Sequence, residues 1–161
     1  MTTYTTKNAA ETEALAKELL AEILIKKVIQ LSGNLGSGKT TFVKGLAKAL
    51  GIEQAIKSPT YTYVNRYGIK ERGNEEKGVG LNLSSFPRSL VHYDLYRLPE
   101  TSSDPHQTSA SIGLEDALQD PTSIVVIEWP ERLPFYIPSL HLSFDKMENS
   151  HQIKVNQERK S

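Results

Sequence analysis

The chain has 161 residues, 38% of them hydrophobic and 24% charged, enough for one core and too few for two full-sized domains. Lys plus Arg and Asp plus Glu each total 19, so no net field draws the chain toward nucleic acid or anionic membrane. The lack of cysteine removes disulfide scaffolds, thiol catalysis and thiolate metal sites together, and fits a reducing compartment.

Met1 to Ala10 is polar, with no apolar stretch or small-residue cleavage site, so no secretory signal is expected. From Asn8 to Leu24 the residues Leu15, Ala16, Leu19, Leu20, Ile23 and Leu24 recur at helical spacing. Asn8-Ala9-Ala10-Glu11 has the form of a capping box ahead of them, which predicts one amphipathic helix. The most apolar stretch, Leu19 to Leu31, is broken by Glu22, Lys26, Lys27 and Gln30 and is too short to span a bilayer. The expected location is therefore the cytoplasm. Val28 to Leu31 reads as a buried strand that stops at Ser32-Gly33. A glycine-rich loop follows, and Lys39 to Leu50 places Phe42, Val43, Leu46, Ala49 and Leu50 on one helix face, with Gly51 as its C-cap.

Tyr61 to Tyr67 and Leu90 to Tyr96 are rich in β-formers and predict two strands, the first with Tyr61, Tyr63 and Tyr67 on one face. Between them, Gly68 to Arg88 has the glycines and charges of a long, mobile, exposed connection. Pro99 to Ser111, rich in Ser, Thr and Pro, is a second exposed stretch and leads into a short helix at Leu114 to Leu118. Ile124 to Ile127 is a continuous β-branched run, as in a strand buried on both faces of a parallel sheet, and Glu128 ends it. Leu140 to Phe144 and Ile153 to Val155 alternate on either side of a polar turn and predict a closing hairpin. No internal repeat interrupts this order, and residues 1–161 read as one α/β domain.

Gly33-Asn34-Leu35-Gly36-Ser37-Gly38-Lys39-Thr40 satisfies G-x-x-x-x-G-K-[ST], the phosphate-binding loop, and Thr41 follows it. Background frequencies give this pattern in roughly one chain of this length in 200, and the strand before and helix after make chance rarer still. Glycines let the backbone turn so that successive N–H groups and the helix N-terminus face an anion. Lys39 then offers a point charge to the β- and γ-phosphates, and the Thr40 hydroxyl a ligand to Mg²⁺.

Such a site also needs an acid at the end of a neighbouring strand. Glu128 and Asp94 both qualify, each readable also as an exposed acid at a strand end, and spacing does not rank them. Ser58-Pro59-Thr60 suits either a strand-initiating turn or a hydroxyl that senses γ-phosphate. Trp129 either packs over the nucleotide or covers the sheet end. Arg66, Arg88, Arg97 and Arg132 read as surface arginines. His92, His106, His141 and His151 are scattered without metal-ligand spacing, so a structural role or none is expected.

A GTPase is disfavoured: no N-K-x-D element occurs, and Asp94-Leu95-Tyr96-Arg97 lacks the glycine that follows the switch acid. A nucleoside-type kinase, the alternative reading, usually carries an arginine-bearing lid, and Pro99 to Ser111 has no arginine. An ATP-controlled binding module that never hydrolyses is a third class. The remaining reading is a compact ATPase serving a partner.

The segments GNLGSGKTTF at 33–42, KSPTYTYV at 57–64, HYDLYRL at 92–98, IGLEDAL at 112–118 and VIEWPERL at 126–133 together resemble the TsaE (YjeE) family of bacterial ATPases, over about residues 10 to 157. The resemblance implies a three-layer P-loop NTPase fold with a mixed, mainly parallel sheet. It also implies a place in the machinery that makes N6-threonylcarbamoyladenosine in tRNA. There the chain would bind the TsaD–TsaB pair, meet tRNA only through that complex, and hydrolyse ATP to reset the pair between turnovers. By position, Gly33, Asn34, Leu35, Gly36, Ser37, Gly38, Lys39, Thr40 and Thr41 would hold ATP, with Lys39 on phosphate. Thr40 and Glu128 would serve Mg²⁺, Asp94 would be an active-site acid, Ser58 and Thr60 would form a switch-like segment, and the helix around Thr12 would contact the base. Asn34 and Ser37 stand where the family usually has Asp and Ala, Gly68 to Arg88 is longer than expected, and Pro99 to Ser111 replaces a usually Glu-rich entry to a helix.

Overall fold

Alternation along a few fully buried strands sets the architecture. The computed structural model describes residues 1–70, 86–99 and 109–157; most of the two connections expected at Gly68–Arg88 and Pro99–Ser111 lies outside the described residues, as does His106. In chain order the elements are β1 (Thr2–Thr6), α1 (Ala9–Glu18), α2 (Leu20–Lys26), β2 (Val28–Ser32), α3 (Lys39–Ala49), β3 (Val64–Gly68) and β4 (Ser89–Asp94). They continue with α4 (Leu114–Gln119), β5 (Ser123–Glu128), a 3₁₀ turn (Pro130–Arg132), β6 (Leu140–Lys146) and β7 (His151–Gln157).

The strands form one sheet in the order β1-β7-β6-β2-β5-β4-β3. Its centre, β6-β2-β5-β4, is parallel, and β3 on one edge with β7 and β1 on the other run antiparallel to their neighbours. All six residues of β5 are buried. Successive side chains point to opposite faces, so Ile124 and Val126 join Leu15, Ile23, Phe42 and Leu46 of α1–α3, while Val125 and Ile127 join Leu114 and Ala117 of α4. The result is the expected three-layer α/β arrangement with a mixed sheet. Among the described residues no helix is long and apolar enough to cross a membrane.

Local chemistry explains the element ends. Asn8 caps α1 by accepting from the Glu11 N–H at 2.9 Å, and the Glu11 carboxylate accepts in return from the Lys7 N–H at 2.8 Å. At the other end of α3, Gly51 takes φ +77° and the Ile52 N–H reaches back to the Ala47 carbonyl at 2.9 Å, a Schellman closure. Helices α1 and α3 cross at Gly45, where an added Cβ would lie 2.5 Å from the Glu13 backbone. Gly45→Ala is therefore expected to destabilise by about 2 kcal/mol, net of the ~1 kcal/mol that Ala gains in helix propensity. A lower urea midpoint checks this, and an unchanged midpoint would show that the helices slide apart at no cost.

Two expectations change, and one further strand appears. The single helix from Asn8 to Leu24 is two, because Leu19 at φ −82°, ψ 0° leaves helical geometry between α1 and α2. Leu19 and Ile23 are both buried, so the apolar pattern runs on across the break and hides it. The strand expected from Tyr61 begins at Val64: the Thr62 N–H closes a turn on the Pro59 carbonyl at 3.2 Å, and Tyr63 sits at φ +62°. Tyr61 is thereby 79% exposed while Tyr67 is buried, and the three tyrosines do not share a face. Thr2–Thr6, within the polar Met1 to Ala10 for which the sequence predicts no element, is an edge strand paired to β7 from Thr2↔Val155 to Thr6↔His151. Its threonines suit an edge, where one face stays polar.

Asp120 joins α4 to β5. Its carboxylate accepts from the Thr122 N–H at 2.8 Å, the Thr122 hydroxyl at 2.7 Å and the Ser123 hydroxyl at 2.6 Å. The Ser123 bond first, then the Thr122 bonds, hold its pKa down to about 2. A carboxyl whose pKa falls on folding stabilises above the unfolded value and loses that contribution as pH drops through the folded one. The contribution, no more than about 1 kcal/mol at this solvent-screened position, is expected to disappear between about pH 4 and pH 2. Acid unfolding of Asp120→Asn tests this: its stability should fall less steeply than wild type in that window, and equal slopes would contradict it.

Candidate functional site

The C-terminal ends of β2, β4 and β5 meet at one edge of the sheet, and the chain leaving β2 turns there into α3. That turn is the glycine-rich loop. Gly33, Gly36 and Gly38 adopt φ of +136°, +74° and +103°, a region that only glycine enters without strain. At Gly33 space also decides, since a Cβ would lie 2.3 Å from the Phe144 carbonyl oxygen. The loop borders a cleft of about 270 Å³ whose walls include Leu35, Gly36, Ser37, Gly38, Lys39, Thr40 and Thr41. Gly33 and Asn34 stand behind it, and their carbonyls accept from the Lys39 ammonium at 2.5 and 2.9 Å.

Lys39 is 5% exposed and its ammonium lies 4.6 Å from the centre of the Trp129 ring. Burial lowers its pKa, and the charges of Glu128, Asp94 and Glu131 pull the other way. Trp129 itself takes φ +60°, donates its backbone N–H to the Leu31 carbonyl at 3.2 Å and packs against Tyr96, ring centres 4.9 Å apart. It is thus both a wall of the cleft and a cover for the sheet end.

Parallel pairing places Asp94 directly beside Glu128, with strands about 4.8 Å apart. Both face α3, on the same parity as Leu90 and Ile124. The Thr40 hydroxyl donates to Glu128 Oε1 at 3.2 Å, and His92 Nε2 lies 2.8 Å from that same oxygen. Asp94 Oδ2 accepts from the Ser58 hydroxyl at 2.7 Å and the Thr60 hydroxyl at 3.0 Å, while Oδ1 accepts from the Tyr96 N–H. The Ser58-Pro59-Thr60 segment therefore forms a turn and sets two hydroxyls on Asp94. Both acids are buried, so neither is the exposed strand-end carboxylate that spacing also allowed.

Thr12, from α1, lines the cleft with Ala9 and His151, close to Gly38 of the loop. Among the described residues no arginine lines the cleft: Arg66 bonds to Ser89 and Ser123 at the opposite strand ends, and Arg97 stacks on Tyr61 at 4.3 Å. Sequence reasoning gave His92 and His151 a structural role or none and did not place them at the site. For His92 a signal existed, since it lies two residues before Asp94 and so on the same strand face; His151 carried none, as it reaches the cleft only through the β6–β7 hairpin.

Two observations test whether a phosphate and a hard cation fit. Ser37 Oγ is buried at the loop without a hydrogen-bond partner among the described residues, and the positive-φ glycines keep the cradle free of side chains. The Thr40 hydroxyl, having donated its hydrogen to Glu128, keeps its lone pairs, and oxygen donors are what Mg²⁺ selects.

The chain is similar to known proteins along most of its length. The model of the family described as threonylcarbamoyl adenosine biosynthesis protein TsaE matches residues 6–160. The protein of that name from Aquifex aeolicus is 38% identical over 76% of this chain and 71% of its own length. The Bacillus subtilis protein of that name is 32% identical over 86% of this chain and 73% of its own. Among solved structures, the crystal structure of Bacillus subtilis YdiB superposes with a TM-score of 0.62 at 27% identity, covering 96% of this chain and 83% of that one.

Proposed function

The chain belongs to the TsaE family of threonylcarbamoyl adenosine biosynthesis proteins, and on that premise we propose that it is a Mg²⁺-dependent ATPase. In this reading it binds the TsaD–TsaB pair and hydrolyses ATP so that the pair can modify tRNA repeatedly. The observation that carries the reading is the Thr40–Glu128 contact at the foot of a glycine loop, with Asp94 in register beside it.

Each residue has a stated task. The loop amides from Gly36 to Thr41 and the N-terminus of α3 face the phosphates across the cleft that they line. Lys39 leaves its two carbonyl partners for the β- and γ-phosphate oxygens. Thr40 and Glu128 would hold Mg²⁺, which would supply charge neutralisation to the phosphates. Asp94, whose Oδ2 is now occupied by two hydroxyls, is the acid placed to hold an attacking water and accept its proton once Ser58 and Thr60 release it. Trp129 shields the ammonium from solvent.

ATP turnover by the isolated chain and by the chain with TsaD–TsaB tests the proposal. Weak turnover that rises with the pair is expected. Turnover indifferent to the pair would overturn the partner, and its absence in both would overturn the ATPase.

A further inference from the structure

The tasks above leave His92 unused. It is fully buried on β4, beside Val126 of β5, at a position that an aliphatic side chain would fill without leaving Nδ1 unpartnered, as it is among the described residues. A buried polar atom without a partner costs stability, so the imidazole calls for a reason. Its one hydrogen bond supplies it: Nε2 meets Glu128 Oε1 at 2.8 Å. Because Oε1 also accepts from the Thr40 hydroxyl, the hydrogen at this contact is assigned to Nε2. Both bonds to Glu128 end on Oε1, and among the described residues none reaches Oε2, although Glu128 lines the cleft.

We propose that His92 is a positioning residue for Glu128. Resting on the nucleotide reading above, the Nε2–H bond fixes the rotation of the carboxylate, so that Oε1 keeps receiving the Thr40 hydroxyl and Oε2 is left for a hydrated divalent cation. Outer hydrogen bonds of this kind are what orient carboxylate and imidazole ligands in metal sites generally. A side chain that merely fills the layer would serve as well without a donor.

The test compares His92→Leu, which removes the donor, with His92→Gln, whose amide N–H reaches about as far as Nε2. Three readouts are taken: the thermal midpoint, Mn²⁺ affinity of the protein–ADP mixture by electron paramagnetic resonance, and kcat with KM for ATP in the presence of TsaD–TsaB. The expected result is a loss of about 10–100-fold in Mn²⁺ affinity and kcat for His92→Leu, with KM little changed and most of both recovered in His92→Gln. Wild-type Mn²⁺ affinity in folded His92→Leu overturns the proposal, as do equal losses in both variants that follow the thermal midpoint. Should His92→Leu not fold, His92→Asn, whose amide is too short to reach Oε1, replaces it in the comparison. A wild-type protein that binds no Mn²⁺ with ADP and turns over no ATP would instead overturn the parent reading.

Discussion

Lys39→Ala is expected to lower kcat/KM for ATP by at least about 10²–10³-fold, the loss that follows removal of one preorganised charge donor from a reacting centre. The effect should be this large because Lys39 is the cation placed between the loop carbonyls and the two acids, 5% exposed and therefore poorly replaced by water. Without it, Glu128 and Asp94 face the phosphates uncompensated. The fold should survive, since burial works against the ammonium and two carbonyl partners are its main tether. Phosphate release and far-ultraviolet circular dichroism on the same sample separate the two effects. Native dichroism with wild-type turnover would remove Lys39 from the mechanism.

Glu128→Gln should be nearly as damaging, for a different reason. The amide oxygen still accepts from Thr40, but the negative charge that favours a cation is gone, and the amide N–H₂ competes for the same space. A fall of about 10²-fold or more in kcat is expected, with nucleotide affinity in the absence of metal kept or improved because one repelling charge has been removed. In a tRNA assay with excess substrate, the variant should support a first round of modification and then stall. A variant that binds nucleotide and sustains many rounds would favour an ATP-controlled binding module, in which hydrolysis is not required.

How much of this was legible in the sequence differs by element. The loop and α3 were legible because a phosphate cradle restricts residue choice at four positions, and Gly51 marks the helix end by the same backbone logic. Strand β5 was legible because both its faces are buried, which leaves an unbroken β-branched run. Edge strand β1 was not, since pairing with β7 needs only extended backbone and leaves Thr2–Thr6 polar. Nor was the break at Leu19, where side chains keep their spacing while one backbone angle changes. Glu128 and Asp94 were legible as acids at strand ends, but their pairing depends on the β4–β5 register, which no local pattern encodes. His92 was hidden by the same fact, its meaning lying on the neighbouring strand.

The acids also show how the site's electrostatics are shared. Ser58 and Thr60 satisfy Asp94 while Thr40 and His92 satisfy Glu128, so the two buried carboxylates sit side by side on neutral hydroxyl and imidazole partners, with the Lys39 charge acting on both from the loop. A triphosphate would bring more negative charge to this edge, which makes a divalent cation the natural companion of the nucleotide.

Calorimetric titration of the folded protein with ADP, with and without Mg²⁺, tests the central claim most directly. The account predicts saturable binding of one nucleotide per chain, tighter with Mg²⁺ and weakened by Lys39→Ala. No heat under either condition, with the TsaD–TsaB pair present as well as absent, would contradict it.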